Sequence, residues 1–138
     1  MLSRKTKYGL KALSYLAGNV EDAPVPISVI STSENISVKF LESILLTLKK
    51  SGFLASKKGK GGGYYLLKDA KDISIASVYR VLEGPIAMVP CVSLHYYEKC
   101  ADCPDEESCS VHKLMIEVRD SNLKILENTS LADLITLK

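Results

Sequence analysis

Four cysteines and two histidines lie in one short stretch of this 138-residue chain, between residues 91 and 112. The stretch reads CVSLHYYEKCADCPDEESCSVH, and its spacing is Cys-x8-Cys-x2-Cys-x5-Cys-x2-His. Thiolates and an imidazole in such a cluster can hold an iron–sulfur cluster or structural zinc. Without a metal, thiols this close can form a redox disulfide. The spacing therefore predicts a metal or redox centre and leaves these three chemistries open.

The overall composition is that of a small globular protein. Apolar residues make up 46% of the chain and charged residues 25%, which suits a single domain. Lys11 interrupts the apolar part of the N-terminal segment, and no apolar run approaches the length of a membrane span. We therefore expect a cytoplasmic protein with no membrane partner. In a reducing cytoplasm, clustered thiols are metal ligands or redox groups more often than structural disulfides.

Charge is distributed unevenly along the chain. Residues 1–68 contain eleven Lys/Arg and four Asp/Glu, whereas residues 69–138 contain seven Lys/Arg and twelve Asp/Glu. A basic N-terminal half suits a polyanionic partner such as nucleic acid. A solvated charged face without a partner is the alternative, and charge by itself does not decide between them.

Apolar periodicity predicts the helices that must position these groups. We expect helices at about 3–19, 27–35, 37–50, 74–84 and 108–127, and a last short helix in SLADLI. The helix at 37–50 is strongly amphipathic, because Leu41, Ile44, Leu45 and Leu48 form one apolar stripe. Two short helices joined by a tight turn, with the second strongly amphipathic, form the helix-turn-helix pattern.

A β-hairpin is predicted directly after this pair of helices. Two short apolar runs, at 53–56 and 64–67, flank the glycine- and lysine-rich loop KKGKGGG. Helix, turn, helix and hairpin is the order of a winged helix. The expected fold class is therefore mostly α with a small β-hairpin wing: a winged helix-turn-helix plus a long C-terminal helix.

The basic residues of the first half lie where a winged helix contacts duplex DNA. One helix enters the major groove while cations contact phosphates on either side, and wing glycines let the backbone approach the sugar–phosphate chain. A flexible turn solubilised by lysines is the alternative, but the adjacent helix-turn-helix favours DNA. The candidate DNA contacts are Arg4, Lys5 and Lys7 in helix 1, Ser37, Lys39, Glu42 and Ser43 in the helix at 37–50, and Lys57, Lys58, Lys60, Gly61 and Gly62 in the wing.

Three regions follow along the chain. We expect a winged-helix DNA-binding domain at 1–84, a cysteine-rich cofactor loop at 85–107, and a dimerisation helix with a C-terminal tail at 108–138. The long helix has apolar residues at roughly 3.5-residue spacing, interrupted by Asn122, and such a seam packs on its own domain or on a second copy. Its members are Val111, Leu114, Met115, Val118 and Ile125.

Several motifs resemble the Rrf-two family of bacterial winged-helix transcription regulators, of the IscR, NsrR and CymR type. The motifs are ISVKFLE in the predicted recognition helix, LKKSGF after it and GKGGGYYL at the wing, and the similarity continues through ISIASVYRVLEG and ENTSLADLI. The resemblance implies a bacterial, cytoplasmic homodimer on a palindromic operator in double-stranded DNA. It also implies that the long C-terminal helix crosses between the subunits.

The same resemblance implies a ligand set for the cysteine stretch. In iron–sulfur members of the family, three cysteines precede the dimerisation helix, and Cys91, Cys103 and Cys109 match them. This chain departs from the pattern, because eleven residues separate Cys91 from Cys103 and Cys100 is additional. The fourth ligand is therefore Cys100 or His112. We favour a [2Fe–2S] or [4Fe–4S] cluster, with zinc and metal-free thiols as alternatives.

Two other functions compete with that of a cluster-sensing regulator. One is a regulator of the same fold without a cluster, controlled by zinc, by its thiols or by a partner protein. The other is a thiol oxidoreductase, which only Cys100-x2-Cys103 supports and which lacks the strand–helix context of thioredoxin-type enzymes. We therefore expect no enzyme activity, no catalytic residues and no small-molecule substrate.

Overall fold

Six helices and one hairpin make up the computed structural model of the chain, which describes residues 1–137. The last residue of the predicted tail, Lys138, lies outside the described residues. In chain order the elements are α1 (Arg4–Gly18), α2 (Ile27–Glu34), α3 (Val38–Lys50), β1 (Leu54–Lys57), β2 (Gly63–Leu66), α4 (Ile75–Leu82), α5 (Ser110–Asn128) and α6 (Leu131–Thr136). Short 3-10 turns lie at Val20–Asp22, Ala70–Asp72 and Pro90–Val92. The fold class predicted from the sequence is confirmed.

The helix-turn-helix is formed by α2 and α3. Asn35 ends α2 in the left-handed conformation, with φ 55° and ψ 50°, which turns the chain sharply toward the next helix. The Ser37 side chain then caps α3, because its Oγ accepts from the Phe40 N–H at 3.3 Å. All four residues of the predicted stripe are completely buried, namely Leu41, Ile44, Leu45 and Leu48. The stripe fastens α3 to the core and leaves its opposite face in solvent.

The hairpin follows α3 as an antiparallel pair in which Leu54 lies opposite Leu66 and Lys57 opposite Gly63. Val25 forms an isolated β-bridge with Tyr64 of β2, and the two residues exchange backbone hydrogen bonds of 2.9 and 2.8 Å. The bridge joins the segment before α2 to β2. The bridge therefore supports β2 close to the turn of the hairpin, because Tyr64 lies next to Gly63.

The C-terminal helix α6 returns to the winged helix. The Ile75 N–H donates to the Thr129 carbonyl, and the Leu131 N–H donates to the Ile73 carbonyl, each at 2.8 Å. Leu131 is completely buried in the core formed by α1, α3 and α4. Ser130 and Asp133 form a capping box that starts α6.

Helix α5 differs from the other long helices, because none of its residues is fully buried. Val111, Leu114 and Ile125 are 57%, 53% and 64% exposed. These are members of the 3.5-residue seam predicted from the sequence. Exposed aliphatic side chains in a row on one helix are unfavourable in water. Among residues 1–137, no helix combines the length and apolar character needed to cross a bilayer.

Candidate nucleic-acid interface and cysteine site

The N-terminal end of α3 presents the four side chains predicted to reach DNA. Ser37, Lys39, Glu42 and Ser43 are all exposed. Two of them also have structural roles, since Ser37 caps the helix and the Ser43 hydroxyl donates to the Phe40 carbonyl at 2.8 Å. Lys39 and Glu42 extend from the same exposed face. This end of α3 therefore offers a cation, a carboxylate and two hydroxyls to a partner.

Helix α1 is fixed beside that end of α3 by an aromatic contact. The rings of Tyr8 and Phe40 meet edge to face, with centroids 5.6 Å apart and planes at 72°. The contact joins the N-terminal halves of both helices, which brings the basic start of α1 toward the recognition helix. Arg4 and Lys7 are exposed there, and Lys5 is half-buried. Sequence patterns missed this contact, because the two rings are distant in the chain.

The tip of the wing exposes Lys57, Lys58 and Lys60. Gly61 has a φ of +77°, a left-handed conformation that favours glycine, and a Cβ at Gly62 would collide with the carbonyl oxygen of Lys57. The glycines are thus needed to form the turn itself. The Lys49 ammonium donates to the Ser56 hydroxyl at 2.6 Å and links the end of α3 to β1.

All four cysteines line one cavity of about 460 Å³ between the 3-10 turn at 90–92, the loop at 100–109 and the start of α5. Cys91 is 7% exposed, and the other three thiols are half-buried. The remaining lining residues are His112, Val89, Asp102, Pro104, Asp105, Ser108 and Val111. The structure thus brings together every residue that the sequence named as a candidate ligand. His95, the other histidine, is exposed and lines a different, smaller cavity.

His112 touches two of the cysteines. Its ring Nδ1 lies 3.2 Å from Cys91 Sγ, and its backbone N–H donates to Cys109 Sγ at 3.4 Å. The second contact makes Cys109 the N-cap of α5. Cys100 and Cys103 are joined by a turn, in which the Cys103 N–H donates to the Cys100 carbonyl at 3.1 Å. The ligand candidates are therefore held by a helix start, a tight turn and a buried 3-10 turn.

The cavity favours protonated thiols as long as no cation is present. Burial raises the pKa of Cys91, and contact with Cys100 raises it further. Burial also raises the pKa of Cys103, to which the negative charge of Cys109 adds. Tyr97 donates to the Glu106 carboxylate, and this hydrogen bond, together with burial, raises the pKa of Tyr97 to about 12. Neighbouring thiolates repel one another, so a bound metal would be needed to ionise several of them together.

The donor types at this site, thiols and an imidazole, suit both a zinc ion and an iron–sulfur cluster. In residues 1–137, no three His, Cys, Asp or Glu side chains converge closely enough to hold one metal ion. Zinc requires four donors at about 2.0–2.3 Å from one point. The thiolates of an iron–sulfur cluster bind to different irons and stand further apart around a larger volume. The four thiols that line this cavity are the kind of donor that an iron–sulfur cluster uses.

One further contact reaches this site from α5. The Arg119 Nη1 donates to the Val92 carbonyl at 2.9 Å, and its Nε and Nη2 donate to Asp120 at 3.0 and 2.7 Å. Val92 is 2% exposed and follows Cys91 in the chain. Arg119 is thus a positioning residue for the cysteine site. Nothing in the sequence pattern singled it out, because an arginine on a long helix usually faces solvent.

Comparisons with known proteins agree with this geometry. The Rrf2 family model, described as an iron-dependent transcriptional regulator, matches residues 2–137. An rrf2-like HTH-type transcriptional regulator of Rhodobacter capsulatus is 41% identical over 138 residues, covering 98% of this chain and 92% of the relative. The HTH-type transcriptional regulator IscR of Cronobacter sakazakii is 31% identical over 134 residues, covering 97% and 79%. The solved structure of CymR, the global cysteine regulator of B. subtilis, matches with a TM-score of 0.82 at 30% identity, covering 100% and 98%.

Fold and surface together define a winged-helix, DNA-binding transcription regulator. The chain belongs to the Rrf2 family of transcriptional regulators, and the family resemblance stated from the sequence is confirmed. It is accordingly a regulator and not an enzyme.

Proposed function

We propose that the protein is a homodimeric regulator that binds a palindromic operator in the bacterial cytoplasm and senses redox state, iron or nitric oxide through an iron–sulfur cluster. Each part of this proposal rests on a different surface of the molecule. The DNA contacts lie on the winged helix, the dimer contact on α5, and the sensing site in the cysteine cavity.

Base recognition is assigned to α3 and phosphate contact to its flanks. Glu42 can accept a hydrogen bond from a cytosine amino group in the major groove. Lys58 and Lys60 at the wing tip and Arg4 at the start of α1 are exposed cations on two sides of that helix. The remaining contacts in the proposal are Lys5, Lys7, Ser37, Lys39, Ser43, Lys57, Gly61 and Gly62.

The dimer contact is assigned to the apolar row on α5. Val111, Leu114 and Ile125 are more than half exposed, and a second copy would bury them in an antiparallel or crossed pair of helices. Two recognition helices related by a two-fold axis read two half-sites of inverted sequence. Dimerisation would therefore account for both the exposed row and a palindromic operator.

The cluster is assigned to Cys91, Cys103 and Cys109, with Cys100 or His112 as the fourth ligand. The carrying observation is that all five donors line one cavity, although 21 positions separate Cys91 from His112. When bound, an iron–sulfur cluster supplies a redox-active iron centre that neutralises the thiolates. Arg119 holds the Cys91 segment to α5, so the state of the ligands bears directly on the dimerisation helix.

The test begins with anaerobic purification, an absorption spectrum, and iron, sulfide and zinc analysis of one sample. Matching iron and sulfide with visible absorption are expected. Operator affinity is then measured before and after the metal is removed, and a clear difference is the expected result. An affinity that is the same with and without the cluster would contradict the sensing proposal.

A cluster-free regulator of the same fold is the second candidate, and the similarity to CymR favours it. In that case zinc, the thiols alone or a partner protein would carry the signal. If a partner protein carries the signal, alanine at Cys91, Cys103 and Cys109 would leave regulation intact. Zinc without sulfide in the anaerobic sample would identify the zinc form of this candidate.

A further inference from the structure

The first turn of α1 is an unfavourable place for a helix to start. Arg4 and Lys5 are the first two residues of the helix, Lys7 follows, and the turn contains no acidic residue. Cations at the N-terminal end of a helix oppose its dipole, so such a turn frays easily. The same side chains are among the proposed DNA contacts. A frayed turn would have to become ordered each time the protein bound DNA, and this ordering lowers affinity.

A carboxylate from the end of α4 supplies what this turn lacks. Ser3 caps α1, because its Oγ accepts from the Thr6 N–H at 3.2 Å. In a capping box, the residue at the Thr6 position is Glu or Gln, and its side chain accepts from the N–H of the cap residue. Here the Ser3 N–H donates to Glu83 Oε1 at 2.8 Å, and the Thr6 hydroxyl donates to Glu83 Oε2 at 3.2 Å. Glu83 therefore completes the box from 80 positions away.

Packing explains why the carboxylate comes from another helix. Thr6 is completely buried, so a glutamate at its position would bring a charge into the core. Helices α1 and α4 also approach each other closely, since a Cβ at Gly9 would collide with the Leu82 side chain. This close approach brings Glu83, the residue that caps the end of α4, to the start of α1. The half-buried carboxylate lies at the buried hydroxyl of Thr6, whereas Arg4 is exposed.

We propose that Glu83 is a positioning residue for DNA binding, which orders the first turn of α1 so that its cations meet the phosphates without further loss of conformational freedom. The inference rests on the proposed DNA contacts of α1 and adds a residue that itself touches no DNA. The Tyr8 and Phe40 rings, with centroids 5.6 Å apart, fix the second turn of α1 against the recognition helix. Glu83 and this aromatic pair together set the direction in which the cations leave α1.

The direction of the change in affinity separates positioning from simple charge. A carboxylate near DNA repels phosphates, so its neutralisation alone would tighten binding. Loss of positioning would weaken binding instead. Glu83→Gln removes the charge at nearly constant size, and the amide keeps one acceptor oxygen in place of two. Glu21→Gln is the matched control, since Glu21 is an exposed carboxylate in the 3-10 turn that follows α1.

The test uses the full chain and an operator duplex that the wild-type protein selects from random DNA. Fluorescence anisotropy measures affinity across a salt series, at a temperature where denaturant curves show each variant to be folded. Thr6→Val, which keeps the branched shape of the side chain and removes the hydroxyl donor to Glu83, is a second variant. A triple variant provides a background without the proposed cations and carries Arg4→Ala, Lys5→Ala and Lys7→Ala.

We expect Glu83→Gln to bind the operator about threefold to tenfold more weakly than wild type, with a shallower salt dependence. Glu21→Gln should bind as wild type does or slightly more tightly. Thr6→Val should weaken binding by a smaller factor, and Glu83→Gln should have no further effect in the triple variant.

Two results would overturn the positioning role alone. One is equal or tighter binding by Glu83→Gln, or by Thr6→Val if only that variant folds. The other is the full effect of Glu83→Gln in the triple variant, because the carboxylate would then act on something other than the cations of α1. A wild-type chain that selects no operator would refute the proposed function itself.

Discussion

The guanidinium of Arg119 holds the backbone carbonyl of Val92 at 2.9 Å, across 27 positions of the chain. This hydrogen bond joins the middle of α5 to the residue that follows Cys91. Asp120 binds two other nitrogens of the same guanidinium and fixes its orientation. The cysteine site is therefore attached to the helix that carries the exposed apolar row.

Removing this attachment should loosen the cysteine site. Arg119→Ala takes the Nη1 donor away from the buried carbonyl of Val92, and we expect a loss of about 1–3 kcal/mol in the free energy of unfolding. Denaturant unfolding measures the loss. Lys124→Ala, an exposed change on the same helix, is the control and should lie within about 0.5 kcal/mol of wild type. Equal stability of the two variants would show that Arg119 does not hold the turn.

The wing lysines should contribute affinity without selectivity. Lys58→Ala removes an exposed cation that we assign to a phosphate, so binding should weaken by a similar factor on every DNA sequence. The slope of log K against log salt should fall by about one. Fluorescence anisotropy across a salt series measures both quantities. Lys71→Ala, an exposed lysine outside the proposed contacts, should leave the slope unchanged.

Glu42 should act on sequence preference. Replacing Glu42 by Ala removes a carboxylate from the exposed N-terminal end of α3, and discrimination at one base pair should fall by about 1–3 kcal/mol. Competition between operators that differ at single positions measures this. A uniform change in affinity across all operator variants would instead indicate that Glu42 lies beside the DNA backbone and does not contact a base.

The apolar row on α5 should control assembly. Ile125→Glu places a charge on a side chain that is 64% exposed, and a dimer that buries it should dissociate. Analytical ultracentrifugation measures the change in mass, and operator affinity should fall with it. Lys113→Glu, an exposed position off the row, should remain dimeric. A monomeric wild-type chain at micromolar concentration would contradict the assignment.

Acid should lower the stability of the protein by protonating Glu83, whose carboxylate binds residues near the N-terminus. The side chain and N–H of Ser3 and the hydroxyl of Thr6 hydrogen-bond to its carboxylate, which lowers the pKa of Glu83 below the ordinary 4.5. A lowered folded-state pKa adds stability above the unfolded-state value, and this stability is lost as pH falls through the folded-state pKa. Glu83→Gln should thus be less stable than wild type at pH 7, by about 1 kcal/mol. Unfolding curves at pH 7 and below pH 4 should show the difference shrinking in acid.

Local patterns in the sequence predicted much of this fold. The stripe Leu41, Ile44, Leu45 and Leu48 is completely buried, and Ser37 and Ser74 cap the helices that follow them, as serine often does. Such features depend on neighbours three or four positions away, which periodicity and capping rules describe well. The elements were therefore predictable to within a few residues.

Contacts between distant segments were not predictable in this way. Three such contacts join elements whose relative placement depends on the whole core. The Tyr8 ring packs against Phe40, the Ser3 N–H donates to the Glu83 carboxylate, and the Arg119 guanidinium donates to the Val92 carbonyl. The same applies inside the candidate site. Spacing identified the cysteines, but only the path of the loop brings Cys100 among the other sulfurs and the His112 ring onto Cys91.

The return of α6 to the winged helix gives α5 the mechanics of a lever. Its C-terminal end is clamped where Thr129 and Leu131 pair with Ile75 and Ile73, and its other end is capped by Cys109. A helix of 19 residues is about 28 Å long, and it bends little under small loads. A displacement at the cysteine end would then tilt the helix about its C-terminal end. Two such levers packed against each other would convert a local event at the sulfurs into a new spacing between the two recognition helices.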